Sequence, residues 1–262
     1  MLLAIDIGNS SIKFGIFDGE DLFHKFSIQT KRDYTPEELM FDRLKVVDNQ
    51  FIQVEISACL VSSVVPELNP VVAQASQELF KITPRFVDPS WDFGMDIKYD
   101  PPGAIGVDRL VNAFAAVQKY GMPSIVCSFG TATTIDAVNG AGDLLGGVIA
   151  PGMLVSARAL QVMTAKLPNV PIEKPKTVFG TTTTGSIQAG LVFGHAAMVD
   201  GIIRRMLVET AGFSSSAELN VVATGGFAHL IAPEVPAITQ VDENLTLEGL
   251  RMLGERGGSA NA

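Results

Sequence analysis

The feature that most limits what this chain can fold into is a pattern that recurs after 122 residues. Ala4-Ile5-Asp6-Ile7-Gly8-Asn9-Ser10-Ser11 falls on Val126-Cys127-Ser128-Phe129-Gly130-Thr131-Ala132-Thr133. With no gap, Gly19-Glu20-Asp21-Leu22 falls on Ala141-Gly142-Asp143-Leu144. Each copy reads as strand, small polar turn, strand, hairpin turn, strand. Leu2–Ile7 and Ser124–Phe129 are short apolar runs, the pattern of strands buried on both faces. The repeat therefore predicts a duplicated α/β domain, with two facing turns and an inter-domain cleft between the copies. The halves are expected at 1–121 and 122–262, with the boundary near Tyr120–Ser124.

The remaining signals fill in each half. Thr35-Pro36-Glu37-Glu38 is a capping box with proline at the first helical position, opening a helix that carries Leu39, Phe41 and Leu44. Val54–Val65 is rich in β-formers and stops at Pro66. Asn69-Pro70 caps a second helix through Phe80, and Arg85–Val87 is a short strand. Asp92–Gly103, with Gly94 and Pro101-Pro102-Gly103, reads as a loop. Val107–Tyr120 has helical spacing and ends at Gly121. The second half adds helices at Leu154–Met163 and Ser186–Glu209, a strand at Val221–Thr224, and a last helix near Leu245–Leu253.

Composition excludes several function classes. A formal charge of -9 argues against nucleic-acid binding, which needs clustered Lys and Arg. A chain this acidic that binds a polyanion must rely largely on backbone N–H groups and a metal. At 47% hydrophobic and 18% charged it is globular, yet no unbroken apolar run reaches the ~18 residues of a membrane helix. Met1-Leu2-Leu3-Ala4-Ile5 lacks a basic leader and meets Asp6 at once, unlike a signal peptide. Cys59 and Cys127 each lie inside an apolar run, with no disulfide framework and no metal spacing. A reducing cytoplasm is the expected compartment.

Three short stretches carry the chemistry. In Asp6-Ile7-Gly8-Asn9-Ser10-Ser11-Ile12-Lys13, a glycine among small hydroxyl residues lets backbone N–H groups approach a phosphate. Asp6, ending the first strand, is placed to hold magnesium through water, and Lys13 adds a point charge. Alone, the same residues would also suit an ordinary hairpin with a solvated aspartate. Pairing with Gly130-Thr131-Ala132-Thr133-Thr134 favours the phosphate reading. Neither turn is G-x-x-x-x-G-K-[ST], so this is not a P-loop. In Gly106-Val107-Asp108-Arg109, Asp108 opens a helix, as either a first-turn carboxylate or a general base for an attacking hydroxyl. Arg109 suits a planar carboxylate.

At this point the motifs resemble a known family. Asp-x-Gly-Asn-Ser at the N-terminus, Gly106-Val107-Asp108-Arg109 and Gly130-Thr131-Ala132-Thr133-Thr134 look like type III pantothenate kinase. The likeness runs on through Gly146–Gly152, Thr164–Pro168, Gly180–Thr183 and Ala223–Gly226, spanning essentially the whole chain. It implies the actin-like (ribonuclease H-like) ATPase fold and ATP-dependent phosphorylation of pantothenate, the first step of coenzyme A synthesis. By position, Asp6 to Lys13 match the family's ATP loop, Thr131 its second nucleotide contact, and Asp108 its proton acceptor. Tyr99, the Gly106–Arg109 stretch and Thr183 match pantothenate-binding positions. The resemblance further implies a homodimer using Mg²⁺ and a monovalent cation, K⁺ or NH₄⁺.

One departure stands out. The family's aspartate before Phe-Gly-Thr-Ala, associated with the monovalent cation, is Ser128 here. A neutral hydroxyl in place of a carboxylate weakens such a site. The chain could then be cation-independent, could draw charge from elsewhere, with Asp136 and Asp143 as candidates, or could be catalytically poor. The last case would suit an accessory factor that binds nucleotide without turnover. Ser10 for the usual threonine keeps the hydroxyl. His24, His195 and His229 lack zinc-site spacing and read as surface or satisfied core residues. G-x-S-x-G is absent, which argues against a serine hydrolase. Trp91 reads as loop packing, Arg204-Arg205 as a solvated face, and Gly225-Gly226 as either a strand-to-helix turn or a close approach to adenine.

Overall fold

The computed structural model describes residues 1–39, 55–209 and 218–257. The chain forms two compact units. One comprises Met1–Phe93, Asp100–Ala115 and Thr246–Ala262; the other comprises Gly94–Tyr99 and Ala116–Leu245. The C-terminal stretch, assigned by sequence to the second half, thus belongs with the first.

The first unit is built on a five-stranded sheet in the order β3-β2-β1-β4-β5. Its strands are β1 (Leu2–Ile7), β2 (Ser11–Asp18), β3 (Asp21–Gln29), β4 (Ala58–Ser63) and β5 (Arg85–Phe86). β1 to β3 form an antiparallel meander, and β4 runs parallel to β1. Leu3, Ile5 and Ile7 of β1 share a core with Val61, Val72 and Ala75, so β1 is central and dry. Val72 and Ala75 lie on α2 (Asn69–Phe80), whose N-cap is Leu68 without a side-chain cap bond; Asn69 is the first helical residue and not the cap that the Asn-Pro signal predicts. The capping box of α1 (Pro36–Leu39) is reciprocal: Glu38 N–H donates to Thr35 Oγ1 at 3.2 Å, and Thr35 N–H donates to Glu38 Oε2 at 3.1 Å. Phe41, Leu44 and Val54, which the sequence reading placed in this helix and the next strand, lie outside the described residues.

Two further helices enter the first unit. α3 (Val107–Tyr120) begins there. The last helix of the chain (Leu245–Glu255) lies so close to it that a Cβ on Gly249 would sit 2.8 Å from the Val111 carbonyl oxygen. The chain has reason to use glycine there, because two helices in backbone contact leave no room for a side chain.

The second unit repeats the plan. Its sheet runs β11-β10-β7-β8-β9-β6, formed by β6 (Asp96–Ile97), β7 (Ser124–Phe129), β8 (Ala132–Val138), β9 (Asp143–Pro151), β10 (Asn220–Thr224) and β11 (Gln240–Val241). Read as β9-β8-β7-β10-β11, it has the order of the first sheet. β1 and β7, and β3 and β9, correspond at both ends at the 122-residue spacing. The turns differ by one residue: Ile7 pairs with Ile12 in the first, Phe129 with Thr133 in the second. β6 corrects the reading of Asp92–Gly103 as pure loop. Two of its residues pair with β9. A two-residue edge strand carries no periodicity that could reveal it.

Behind this sheet lie α4 (Met153–Met163) and α5 (Thr183–Glu209). α5 is long and apolar enough to cross a membrane by length and composition. It is a core helix instead: Val192, Ala196, Val199 and Ile203 pack with Ile125, Cys127 and Val221 of the sheet. Burial of the two thiols among such side chains pushes Cys59 up to about 12 and Cys127 higher still. Both are free thiols.

Candidate active site

The first turn is held from behind by its own backbone and by one neighbouring residue. Gly8 N–H donates to the Ser11 carbonyl at 3.0 Å. Thr30, just past β3, donates twice: its N–H to the Ser10 carbonyl at 3.1 Å and its Oγ1 to the Gly8 carbonyl at 2.6 Å. Asn9 and Ser10 are exposed at the tip. Sequence reasoning missed Thr30. Its only signal is position: the same place in the second copy is Gly152, whose N–H donates to the Thr131 carbonyl at 3.1 Å.

Asp6 and Lys13 face each other across the β1–β2 ladder. Lys13 Nζ lies 3.7 Å from Asp6 Oδ2. Asp6 is only 8% exposed, and burial raises its pKa above the ordinary carboxylate range, against the pull of Lys13. The negative charge of Asp108 raises it further. Asp108 stands in the first turn of α3, where burial raises its pKa too, opposed by backbone N–H groups at the helix start and by Arg109 and Lys13. The structure thus gathers Asp6, Lys13 and Asp108 into one electrostatic group. Buried Asp6 and half-buried Asp108 share Lys13, with Arg109 acting on Asp108 alone, and both carboxyls still have raised pKa values. That donor set fits a divalent cation, which needs only one or two carboxylates when phosphate oxygens supply the rest.

Gly106 shapes the group. A Cβ there would meet Asp108 Oδ1 at 2.6 Å, closer than real side chains approach. The Asp108 carboxylate is folded back into the space that glycine leaves. Arg109 is buried, 5% exposed.

The second turn, Gly130–Thr131, lies in the second unit with Ser128, Tyr99 and Thr183. Gly130 N–H donates to the Ala132 carbonyl at 3.1 Å. Gly225 has φ of +93°, and a Cβ there would sit 2.6 Å from the Phe129 carbonyl oxygen. This glycine is therefore required by backbone crossing at the turn's base. Tyr99 packs against Gly146. Thr183 is the first residue of α5. Thr133 Oγ1 bonds His195 Nε2 at 2.8 Å, so His195 is the satisfied core histidine expected.

Ser128 sits between Thr134 on β8 and Thr224 on β10, giving a row of three hydroxyls on one sheet face. The corresponding row of the first unit is Lys13, Asp6 and Ser62, with a charge pair at its centre. Thr224 Oγ1 is buried with no hydrogen-bond partner among the described residues. Asp143 does not replace the missing carboxylate. It lies at the opposite end of the β8–β9 hairpin, bound by Asn139 Nδ2 at 2.8 Å and within 3.7 Å of Lys98 Nζ. Asp136 is opposite Val126, and strand alternation puts it on the Ser128 face, buried.

Residues 2–205 match the sequence profile of the family described as type III pantothenate kinase. The type III pantothenate kinase of Geobacter sp. strain M21 is 44% identical over 259 residues, 98% of this chain and 99% of that protein. The chain belongs to the type III pantothenate kinases. The enzyme of that name from Myxococcus xanthus is 43% identical, covering 97% of both chains. Among solved structures, a Baf family protein of Campylobacter jejuni superposes with a TM-score of 0.56 at 20% identity, over 97% of this chain and 98% of that one. The activator of the 2-hydroxyisocaproyl-CoA dehydratase from Clostridium difficile, solved with bound ADPNP, gives 0.51 at 13% identity, over 100% and 99%. The fold is the duplicated actin-like ATPase fold, as these likenesses and the two matching sheets show.

Proposed function

We propose that this pantothenate kinase transfers the γ-phosphoryl group of ATP to the terminal hydroxyl of pantothenate with Asp108 as proton acceptor. The hydroxyl proton passes to the Asp108 carboxylate as the oxygen attacks γ-phosphorus and the bond to ADP breaks. The observation that carries the assignment is the grouping of Asp6, Lys13 and Asp108, each placed by backbone pairing or a helix start. Burial raises the Asp108 pKa and makes it a better base than a solvated carboxylate. Residues Asp6 to Lys13 hold the phosphates, with Gly130 and Thr131 as further nucleotide contacts. Asp6 would hold Mg²⁺, and the ion would supply positive charge to the transferring group. Tyr99, Gly106, Val107, Arg109 and Thr183 hold pantothenate, Arg109 through its carboxylate.

With hydroxyls alone in the row at Ser128, we expect little dependence on K⁺ or NH₄⁺. Homodimerisation is supported by an apolar groove of about 840 Å³ between α4 and α5, lined by Val155, Leu160, Met163 and Leu191. Met163 is 82% exposed there, an apolar surface that a second copy would cover. The reducing environment that two buried free thiols suit is the cytoplasm.

A coupled assay with ATP and pantothenate, with and without potassium, tests the reading. Wild-type protein should turn over at similar rates in both. Asp108→Asn should lose ~10²–10⁴ in kcat while still binding Mg·ADP. Full turnover by Asp108→Asn would remove the assigned base. No turnover by folded wild-type protein under any cation would favour a nucleotide-binding accessory factor.

A further inference from the structure

We infer that Thr30 is a positioning residue for the nucleotide, orienting the peptide groups of the first turn. The inference rests on the reading of Asp6 to Lys13 as the ATP loop and adds to it a residue outside that stretch. Backbone N–H groups attract a polyphosphate and carbonyl oxygens repel it, so a phosphate turn works only if its carbonyls face away from the ligand. Three carbonyls of this turn are engaged by the protein. The Ser11 carbonyl accepts from Gly8 N–H at 3.0 Å, the Ser10 carbonyl from Thr30 N–H at 3.1 Å, and the Gly8 carbonyl from Thr30 Oγ1 at 2.6 Å. A trans peptide is planar, with its C=O and N–H pointing in opposite directions. Fixing the Gly8 and Ser10 carbonyls toward Thr30 therefore turns the Asn9 and Ser11 N–H groups the other way, to the side a phosphate can reach. One residue sets two donors.

The second unit supports the same logic by contrast. Gly152, at the equivalent position, supplies only the backbone half of the brace, to Thr131. The first turn is one residue longer, leaving one more peptide to be fixed. The Thr30 hydroxyl is what fixes it. Only a hydroxyl residue does this: valine has the same shape and keeps the N–H bond to Ser10, but leaves the Gly8 peptide without its hold.

Steady-state kinetics on the full-length protein test this with Thr30→Val and Thr30→Ser. Thr30→Val should raise the KM for ATP about tenfold and weaken Mg·ADP binding by a similar factor in calorimetry. The KM for pantothenate should stay within twofold, and the melting temperature within a few degrees. Thr30→Ser should restore ATP KM to within about twofold of wild type. Thr30→Val with unchanged ATP KM and ADP affinity would overturn the inference while leaving the kinase reading intact. So would equal losses in both KM values with a large fall in melting temperature, the mark of a purely structural role. Wild-type protein that binds no Mg·ADP would overturn both.

Discussion

Gly106→Ala probes the Asp108 carboxylate without touching it chemically. The new Cβ would lie 2.6 Å from Asp108 Oδ1 and 3.8 Å from Arg109 Cδ, so the conflict falls on the carboxylate alone. Ordinary contact begins near 3.4 Å, so the oxygen must retreat by about 0.8 Å. The contacted atom is the tip of a rotatable side chain, so relief comes by turning the carboxylate, at about 0.5–1.5 kcal/mol for an off-rotamer angle. Stability should barely change. Catalysis should change, because a misplacement near 1 Å at the reacting group can cost about 10²-fold. We expect kcat to fall by about 10- to 100-fold, with Mg·ADP affinity within twofold of wild type and a melting temperature within a few degrees. Gly103→Ala is the control, since a Cβ there meets nothing within 4 Å. Coupled-assay kinetics, calorimetry and thermal melts on the three proteins decide it. Wild-type kcat in Gly106→Ala would refute the assigned position of Asp108, and with it the idea that glycine is there to make room for a base.

Two further outcomes follow from burial of charge. Asp6 is held above its ordinary pKa, so its ionised form costs the folded state more than the unfolded one. Asp6→Asn should therefore raise the melting temperature at neutral pH while abolishing turnover. The gain should shrink as pH falls through the raised folded value and vanish below about 3.8; a variant less stable than wild type at pH 7 would contradict this. His195 behaves oppositely in sign. Desolvation lowers its pKa, so below about 6.5 the unfolded chain takes up a proton that the folded one refuses. Wild-type stability should then fall as pH drops below 6.5, more steeply than that of His195→Gln, and parallel melting-temperature profiles from pH 7.5 to 5.5 would exclude the effect.

Much of the fold was legible because it is written in local pattern. The largely apolar runs at Leu2–Ile7 and Ser124–Phe129 matched strands buried on both faces, being short and closed by a small polar turn. The Thr35–Glu38 box marked a helix start through chemistry confined to one turn. The 122-residue spacing carried the duplication, and the motifs carried the family. Signals that depend on distant partners were not legible. The edge strand Asp96–Ile97 exists because β9 offers it a ladder, and no periodicity announces that. The last helix belongs to the first unit because Gly249 lets it lie against Val111, a contact spanning most of the chain.

Which residues could do chemistry was readable along the chain: Asp6, Lys13 and Asp108 are titratable groups beside glycine turns, and residue type and spacing suffice to name them. How they act on one another is set by packing. Asp6 and Asp108 are more than a hundred positions apart, and folding raises both pKa values because it withdraws their charges from water, more than Lys13 and, at Asp108, Arg109 offset. The structure also showed that Asp143 is engaged elsewhere and that Thr30 braces the turn. Burial and hydrogen-bond partnership are properties of packed surfaces, and they exist only once distant parts of the chain have met.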